Sequence, residues 1–174
     1  MAKTSTILKT SGVIIVLLFL FGMWYKFQYS MDHVPTKEIN NPAEFSTHIL
    51  IATQGSEFKN AVLDEMVKTL TVMEPYIKII DVSLLEEIDY KDWDAICIMH
   101  TWEQWRAPKS VEQFVKRLPD QHDVVILTTS GTSDSKMFEV DGITSASELT
   151  EVESVANQLV SRIKAAMAQA SVAQ

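Results

Sequence analysis

The chain has one cysteine, no serine-hydrolase elbow and a shortage of basic residues relative to acidic ones. Cys97 lies in the apolar run AICIM, where a lone thiol behaves as a small hydrophobe. One thiol allows no intramolecular disulfide, and no Cys/His spacing suggests a metal site. No G-x-S-x-G pattern is present, which argues against a serine hydrolase assembled from Ser130, His100 and Asp134.

The basic residues that exist are unevenly placed. Lys3, Lys9 and Lys26 are the charged residues of the first 26 positions, and the remainder holds 12 basic against 23 acidic residues. That remainder has a net charge of −11, whereas nucleic-acid binding requires clustered Lys and Arg to displace counterions from phosphates. The charge distribution therefore excludes a nucleic-acid partner.

A long uncharged run stands near the N-terminus. Residues 12–25 read GVIIVLLFLFGMWY and are closed by Lys26. These 14 residues fall short of the roughly 20 that span a bilayer as a straight helix. Extension back to Thr10 and forward to Tyr29, with the flanking lysines snorkelling outward, makes up the difference. The sequence predicts a membrane anchor over residues 1–27, with aromatic side chains at one interface.

The competing interpretation of this run is a cleaved signal peptide, which also begins with a basic region and a short apolar stretch. The residues GMWYKFQYS supply no small residues at the −3 and −1 positions of a cleavage site, so an anchor is favoured. Lys3, Lys9 and the terminal amine precede the run, while Lys26 and Asp32 follow it. The positive-inside rule then predicts a single-pass inner-membrane protein whose domain is extracytoplasmic, with a cytoplasmic domain as the alternative.

Residues 28–46 are polar and contain Pro35 and Pro42, which predicts a linker before a domain over residues 47–170. In that domain, apolar runs alternate with stretches of helical periodicity. The predicted strands are 48–53, 77–82, 95–101 and 123–129, and the predicted helices are 57–70, 84–88, 110–118 and 151–167. Near-continuous apolar strands alternating with helices predict an α/β three-layer sandwich with a parallel sheet of four to five strands. Ligands are expected at the carboxyl ends of these strands.

Three loops at these strand ends resemble those of the flavodoxin-like family, over residues 47–168. The resemblance implies that the first loop holds the phosphate of FMN, that the second places an aromatic side chain against the flavin ring, and that the third contacts the ring through its backbone. The residues concerned are Thr53, Gln54, Gly55 and Ser56 in the first loop; Thr101, Trp102, Trp105 and Arg106 in the second; and Thr129, Ser130 and Gly131 in the third.

Each loop also has a purely structural interpretation. Ser56 is a suitable N-cap for the helix that follows it, and Trp102 and Trp105 would pack onto their own domain. Arg106 would be a surface charge, and His100 a hydrogen-bonded histidine at a strand end. The TTSGTSD run is an ordinary turn composition.

The run Asp141–Ser147, DGITSAS, resembles the flavin-attachment motif of extracytoplasmic FMN proteins, Asp-x-x-(Ser/Thr)-Gly-Ala-(Thr/Ser). The resemblance implies a phosphoester between FMN and the hydroxyl of Ser147, with Thr144 at the motif's central hydroxyl position and Ser145 where the family has Gly. The structural alternative is a loop in which Ser147 caps the last helix.

Together these features predict a membrane-anchored flavodoxin-like protein that binds FMN, covalently at Ser147 or non-covalently, and transfers electrons to or from a redox protein. The acidic surface would steer a basic partner. One alternative is a cofactor-free flavodoxin-fold accessory or assembly module of a membrane complex. Another is an FMN-dependent quinone or nitro reductase.

Overall fold

The computed structural model describes residues 2–29, 31–102, 106–119, 124–130 and 142–170. The chain divides into two compact units, residues 1–31 and 32–174. The first unit is helix α1, Ala2–Tyr29, whose side chains are described from Ser11 to Trp24 and are exposed. Within the described residues, no helical segment combines the length and apolarity needed to cross a membrane.

In the part of the chain that the structure describes, the second unit is built on a six-stranded sheet. Its strands are β1 Lys37–Ile39, β2 His48–Thr53, β3 Tyr76–Asp81, β4 Ala95–Thr101, β5 Val124–Thr129 and β6 Gly142–Ser145. They are ordered β1-β3-β2-β4-β5-β6, with β1 antiparallel to β3 and all other pairs parallel. The five parallel strands thus follow the order 2-1-3-4-5 among themselves, which creates a topological switch point between β2 and β4.

The sheet has five parallel strands, within the four to five predicted, and a sixth, antiparallel strand at its edge. Two of the six, β1 and β6, are not among the strands predicted individually. Strand β1 lies in the segment predicted as a linker and contains one apolar residue, Ile39. Strand β6 is the middle of the DGITSAS run, where Ile143 and Ser145 alternate with less buried residues. Neither strand has the continuous apolar run that marks β2, β3, β4 and β5, and both are held by backbone pairing to a longer neighbour.

Helices cover both faces of the sheet, as the three-layer prediction requires. Helices α2, Glu57–Leu70, and α4, Val152–Ala170, pack on one face, and α3, Lys109–Arg117, packs on the other with the 3-10 segment Val82–Glu87. Alternate strand residues divide between the two cores because successive side chains point to opposite faces of the sheet. Thus Ile51 and Met99 lie in the α2/α4 core, and Ala52 and Ile98 lie in the α3 core.

Helix α2 shows how local sequence fixes these boundaries. The hydroxyl of Ser56 accepts a hydrogen bond of 3.2 Å from the amide of Lys59, so Ser56 is the N-cap. An apolar stripe then recurs at helical spacing and is buried, and it consists of Phe58, Val62, Met66 and Leu70. The chain leaves α2 through a 3-10 turn and enters β3 after Glu74, which has a positive φ of 54°.

Candidate functional site

The carboxyl ends of the five parallel strands meet along one edge of the sheet, here called the carboxyl edge. Each of these strands ends in a polar residue, namely Thr53, Asp81, Thr101, Thr129 and Ser145. Each of the five stands two positions after a strand residue that packs in the α2/α4 core, so all five face α2 and α4. The α2/α4 core is therefore capped by a row of hydroxyls and one carboxylate.

A positively charged group also lies at this edge, Lys59 in the first turn of α2, which is 1% exposed. Its Nζ donates a hydrogen bond of 2.7 Å to Thr101 Oγ1 and one of 3.5 Å to Thr129 Oγ1. The two hydroxyls are themselves 3.1 Å apart. Lysine is rarely buried to this degree without partners, so the ends of β4 and β5 are built around the ammonium group.

The switch point between β2 and β4 is closed by protein groups. The amide of Gln54 donates to the carbonyl of Met99 at 3.1 Å, and Gln54 Oε1 accepts from the amide of Thr101 at 2.7 Å. The hydroxyl of Thr53 is buried and donates to the carbonyl of Gln54. The loop after β2 is thus tied to the end of β4 rather than left open for a ligand.

The same loop is covered by residues 32–34, here called the strap. Asp32 and Gly55 exchange two backbone hydrogen bonds, of 2.8 and 3.0 Å. A Cβ on residue 55 would lie 2.7 Å from the Asp32 carbonyl oxygen, so only glycine permits this approach. The strap therefore occupies the amide of Gly55, one of the groups predicted to hold a phosphate.

The strap is also tied to the end of β3. The Asp81 carboxylate accepts a hydrogen bond of 3.0 Å from the amide of Val34 and lies 3.2 Å from His33 Nδ1. Burial alone raises the pKa of Asp81, but the hydrogen bonds from Val34 and Ser83, aided by His33, outweigh burial and hold the pKa below its ordinary value.

His100 lies on the face of the sheet that packs against α3, fully buried at the end of β4. Its Nε2 is 3.2 Å from Thr128 Oγ1, and its Nδ1 is 3.2 Å from the carbonyl oxygen of Thr101. Burial lowers the pKa of His100 to about 4; the Thr101 carbonyl opposes this shift and the positive charge of Lys59 reinforces it. His100 is therefore neutral at pH 7.

This depressed pKa predicts a specific loss of stability in mild acid. Unfolded histidine has a pKa of about 6.5, so below that pH the imidazole is protonated in the unfolded chain while His100 in the folded chain stays neutral. The free energy of unfolding should fall by about 3 kcal/mol between pH 6.5 and 4 and then level off for this group. Urea unfolding across that range measures it, with His100→Gln as the comparison. If the unfolding free energy of His100→Gln falls with pH as steeply as that of the native chain, other groups cause the loss.

The aromatic loop after β4 is described in part. Trp102 is half-buried against the α3 core, with its ring centroid 6.4 Å from that of His100, and its amide donates to the Thr129 carbonyl at 2.7 Å. Arg106 is exposed. Trp105 and Gly131 lie outside the described residues.

Beyond β6 the chain makes a tight turn that carries Ser147. Ser145 is 2% exposed, whereas Ala146 and Ser147 are exposed. Ser147 has a positive φ of 66° and is not the helix cap considered above, because a 3-10 turn at Leu149–Glu151 precedes α4. The hydroxyl of Ser147 makes no hydrogen bond with the described part of the chain. Thr144, in β6, pairs in register with Thr128.

Known proteins resemble this chain in structure and not in sequence. The chain matches no protein-family model and no curated protein sequence. A metal-soaked flavodiiron core from Synechocystis superposes with a TM-score of 0.54 at 9% identity, over 72% of this chain and 37% of that one. An archaeal flavodoxin follows at TM-score 0.48 and 8% identity, over 69% and 99% of the two chains. The general stress protein 14 of Treponema denticola, solved in complex with FMN, gives 0.43 and 11%, over 69% and 99%.

Strand order agrees with the likeness to the flavodiiron core. The order 2-1-3-4-5 of the parallel strands is that of flavodoxin-like sheets. The chain has a flavodoxin-like fold. This chain spans little more than a third of the flavodiiron core, and at 9% identity the likeness concerns the fold alone.

The flavodoxin-like fold brings the described strand ends of all three predicted loops, and the turn that carries Ser147, to the carboxyl edge. Thr101 pairs in register with Thr129, Thr53 pairs with Met99 two residues before Thr101, and the amide of Ser130 donates to the Ser145 carbonyl at 3.3 Å. Sequence reasoning gave no role to Lys59 or Asp81. Spacing is the signal that could have identified Lys59, since it precedes Val62 and Met66 by three and seven positions and so shares their buried helical face.

Proposed function

We propose that this chain is a membrane-anchored flavodoxin-like protein that carries FMN on Ser147 and transfers electrons. One observation carries the proposal: the flavodoxin-like sheet brings the end of the DGITSAS run, Ser145–Ser147, to its carboxyl edge, where ligands of such sheets bind. The run and the fold are independent indications of a flavin site, and both point to the carboxyl edge. The exposed hydroxyl of Ser147 is accessible to a flavin transferase.

The contacts of the loop after β2 favour covalent attachment over a phosphate cradle. In that loop the amide of Gly55 is bonded to Asp32, the amide of Lys59 is bonded to Ser56, and the Gln54 side chain is bonded to β4. A phosphate held through Ser147 needs none of these groups. The Ser147 oxygen would form a bond to the phosphorus of the FMN half of a flavin dinucleotide, the pyrophosphate P–O bond would break, AMP would leave, and the hydroxyl proton would pass to a base of the transferase.

A flavin in this position would supply one- and two-electron chemistry, and the chain would position and tune it. Trp102 follows β4 directly at this edge and would contribute apolar surface, and Arg106, exposed further along the same segment, would contribute positive charge. The acidic surface of residues 27–174 suits transient docking to a basic redox protein, since charge complementarity raises the rate of encounter.

Membrane anchoring belongs to the same proposal. Helix α1 has 28 residues, and its apolar side chains from Val13 to Trp24 are 52–67% exposed. An exposed apolar surface of this kind needs a partner, and a lipid bilayer is the partner that the flanking lysines suit. With Lys3 and Lys9 on the cytoplasmic side, the domain is extracytoplasmic in the inner membrane.

The second candidate is a cofactor-free accessory module, and the closed loop after β2 favours it. If the ties among Gln54, Gly55, Asp32 and Thr101 close the crevice permanently, the fold serves as a scaffold for a membrane complex. This candidate predicts that no flavin is carried under any condition of expression.

Colour separates the two functions. We expect full-length protein, co-expressed with a flavin transferase and purified in detergent, to be yellow, to bleach with dithionite, and to stay yellow after denaturation and gel filtration. Protein that is yellow but loses its colour on denaturation would move the flavin to a non-covalent site. Colourless protein would contradict the proposal and support the accessory module.

A further inference from the structure

The turn from Ser145 to Glu151, here called the Ser147 turn, is held by a short chain of hydrogen bonds. The buried hydroxyl of Ser145 donates to Glu151 Oε2 at 2.8 Å. Ser145 Oγ in turn accepts a hydrogen bond of 3.0 Å from the amide of Ser147. A third bond closes the turn, since the amide of Glu151 donates to the carbonyl of Glu148 at 2.9 Å.

This chain of bonds fixes an unfavourable backbone conformation. Ser147 has a φ of 66°, in the left-handed region that residues with a side chain enter only at a cost in free energy. The hydrogen bond from its amide to Ser145 compensates for that cost. The carboxylate of Glu151 polarises the Ser145 hydroxyl, which strengthens its oxygen as an acceptor. The result is an exposed hydroxyl on a backbone that the side chains of Ser145 and Glu151 hold in one conformation.

We propose that Ser145 and Glu151 are positioning residues that present Ser147 for modification. This inference rests on the proposed attachment of FMN to Ser147 and concerns how that site is prepared. A transferase must bring the Ser147 oxygen in line with a phosphorus atom, and a fixed backbone lowers the entropy lost in doing so. Neither Ser145 nor Glu151 takes part in bond formation.

The inference also explains the departure from the attachment motif. Where the family has Gly, this chain has Ser145, and its side chain points into the turn and binds the backbone two residues later. The position after β6 is therefore restrained by a side-chain hydrogen bond. A glycine there would supply no hydroxyl for the amide of Ser147 or for the carboxylate of Glu151.

The test is the rate of FMN transfer to full-length variants in detergent, measured by intact mass with a purified transferase and a flavin dinucleotide. Ser145→Ala removes both bonds of the Ser145 hydroxyl, and we expect kcat to fall about tenfold, because the bond that orders the Ser147 backbone is one of them, with KM little changed. Ser145→Thr keeps the hydroxyl and should restore most of the rate. Glu151→Gln should fall between Ser145→Ala and the native chain. Ser154→Ala, an exposed serine on α4, is the matched control and should leave the rate unchanged.

Hydrogen exchange at the Ser147 amide gives a readout that needs no flavin. We expect this amide to exchange about tenfold faster in Ser145→Ala than in the native chain, because its acceptor is gone. Faster exchange with an unchanged transfer rate would overturn the positioning role while leaving the attachment intact. A native chain that stays unmodified although its Ser147 amide is protected would overturn the attachment itself, and the positioning role with it.

Discussion

Ser147→Ala is expected to abolish covalent flavin completely. The native chain, co-expressed with a flavin transferase, should gain a mass equal to FMN minus water, and the variant should keep its unmodified mass. The reason is chemical, because alanine has no oxygen that can form the phosphoester. Intact-mass spectrometry of both proteins, purified under denaturing conditions, measures the difference directly.

The fold should tolerate this substitution. Ser147 is exposed, and its hydroxyl makes no hydrogen bond to residues that the structure describes, so alanine removes the reactive oxygen alone. Ser154→Ala, on the exposed side of α4, controls for the loss of a surface hydroxyl and should be modified as the native chain is. Modification that persists in Ser147→Ala would place the flavin on another hydroxyl and contradict the assignment.

The central strands were predictable because their apolar runs are continuous. Burial on both faces demands such runs, and β2 and β4 were predicted with their observed boundaries. Helix α2 was equally clear, since its cap and its apolar stripe agree. Strands β1 and β6 could not be predicted in this way, since backbone pairing with a longer strand stabilises them and their own sequences carry little apolar signal.

The candidate site was predictable in its location and less so in its contacts. Polar residues at the ends of apolar strands indicated the carboxyl edge, and the parallel sheet brings them together there. The use of those residues depends on distant parts of the chain. The amide of Gly55 is occupied by Asp32, from the segment predicted as a linker, and the Thr101 amide is occupied by Gln54. Contacts between residues so far apart in sequence leave no local pattern.

Lys59 offers the sharpest test of how the carboxyl edge is stabilised. Its long side chain is fully buried, so Lys59→Ala removes packing as well as the ammonium group. We expect this variant to lose about 2–4 kcal/mol of unfolding free energy, as large-to-small substitutions in cores do. Lys59→Met fills nearly the same volume without the charge, and should stay within about 1 kcal/mol of the native chain.

The reason for this asymmetry lies in the hydroxyls that Lys59 contacts. Thr101 and Thr129 remain within hydrogen-bond distance of each other, and Thr129 also donates to the His100 carbonyl at 3.3 Å, so methionine leaves both hydroxyls with partners. Removal of the buried charge also recovers its desolvation penalty. Urea unfolding of full-length variants in detergent measures both effects. If Lys59→Met loses as much unfolding free energy as Lys59→Ala, the hydrogen bonds of the ammonium group, rather than the packing of its stem, hold the ends of β4 and β5 together.

In Lys59→Met the pKa of His100 should rise, because the positive charge that helps to depress it is gone, and NMR titration of the imidazole detects that change independently of stability.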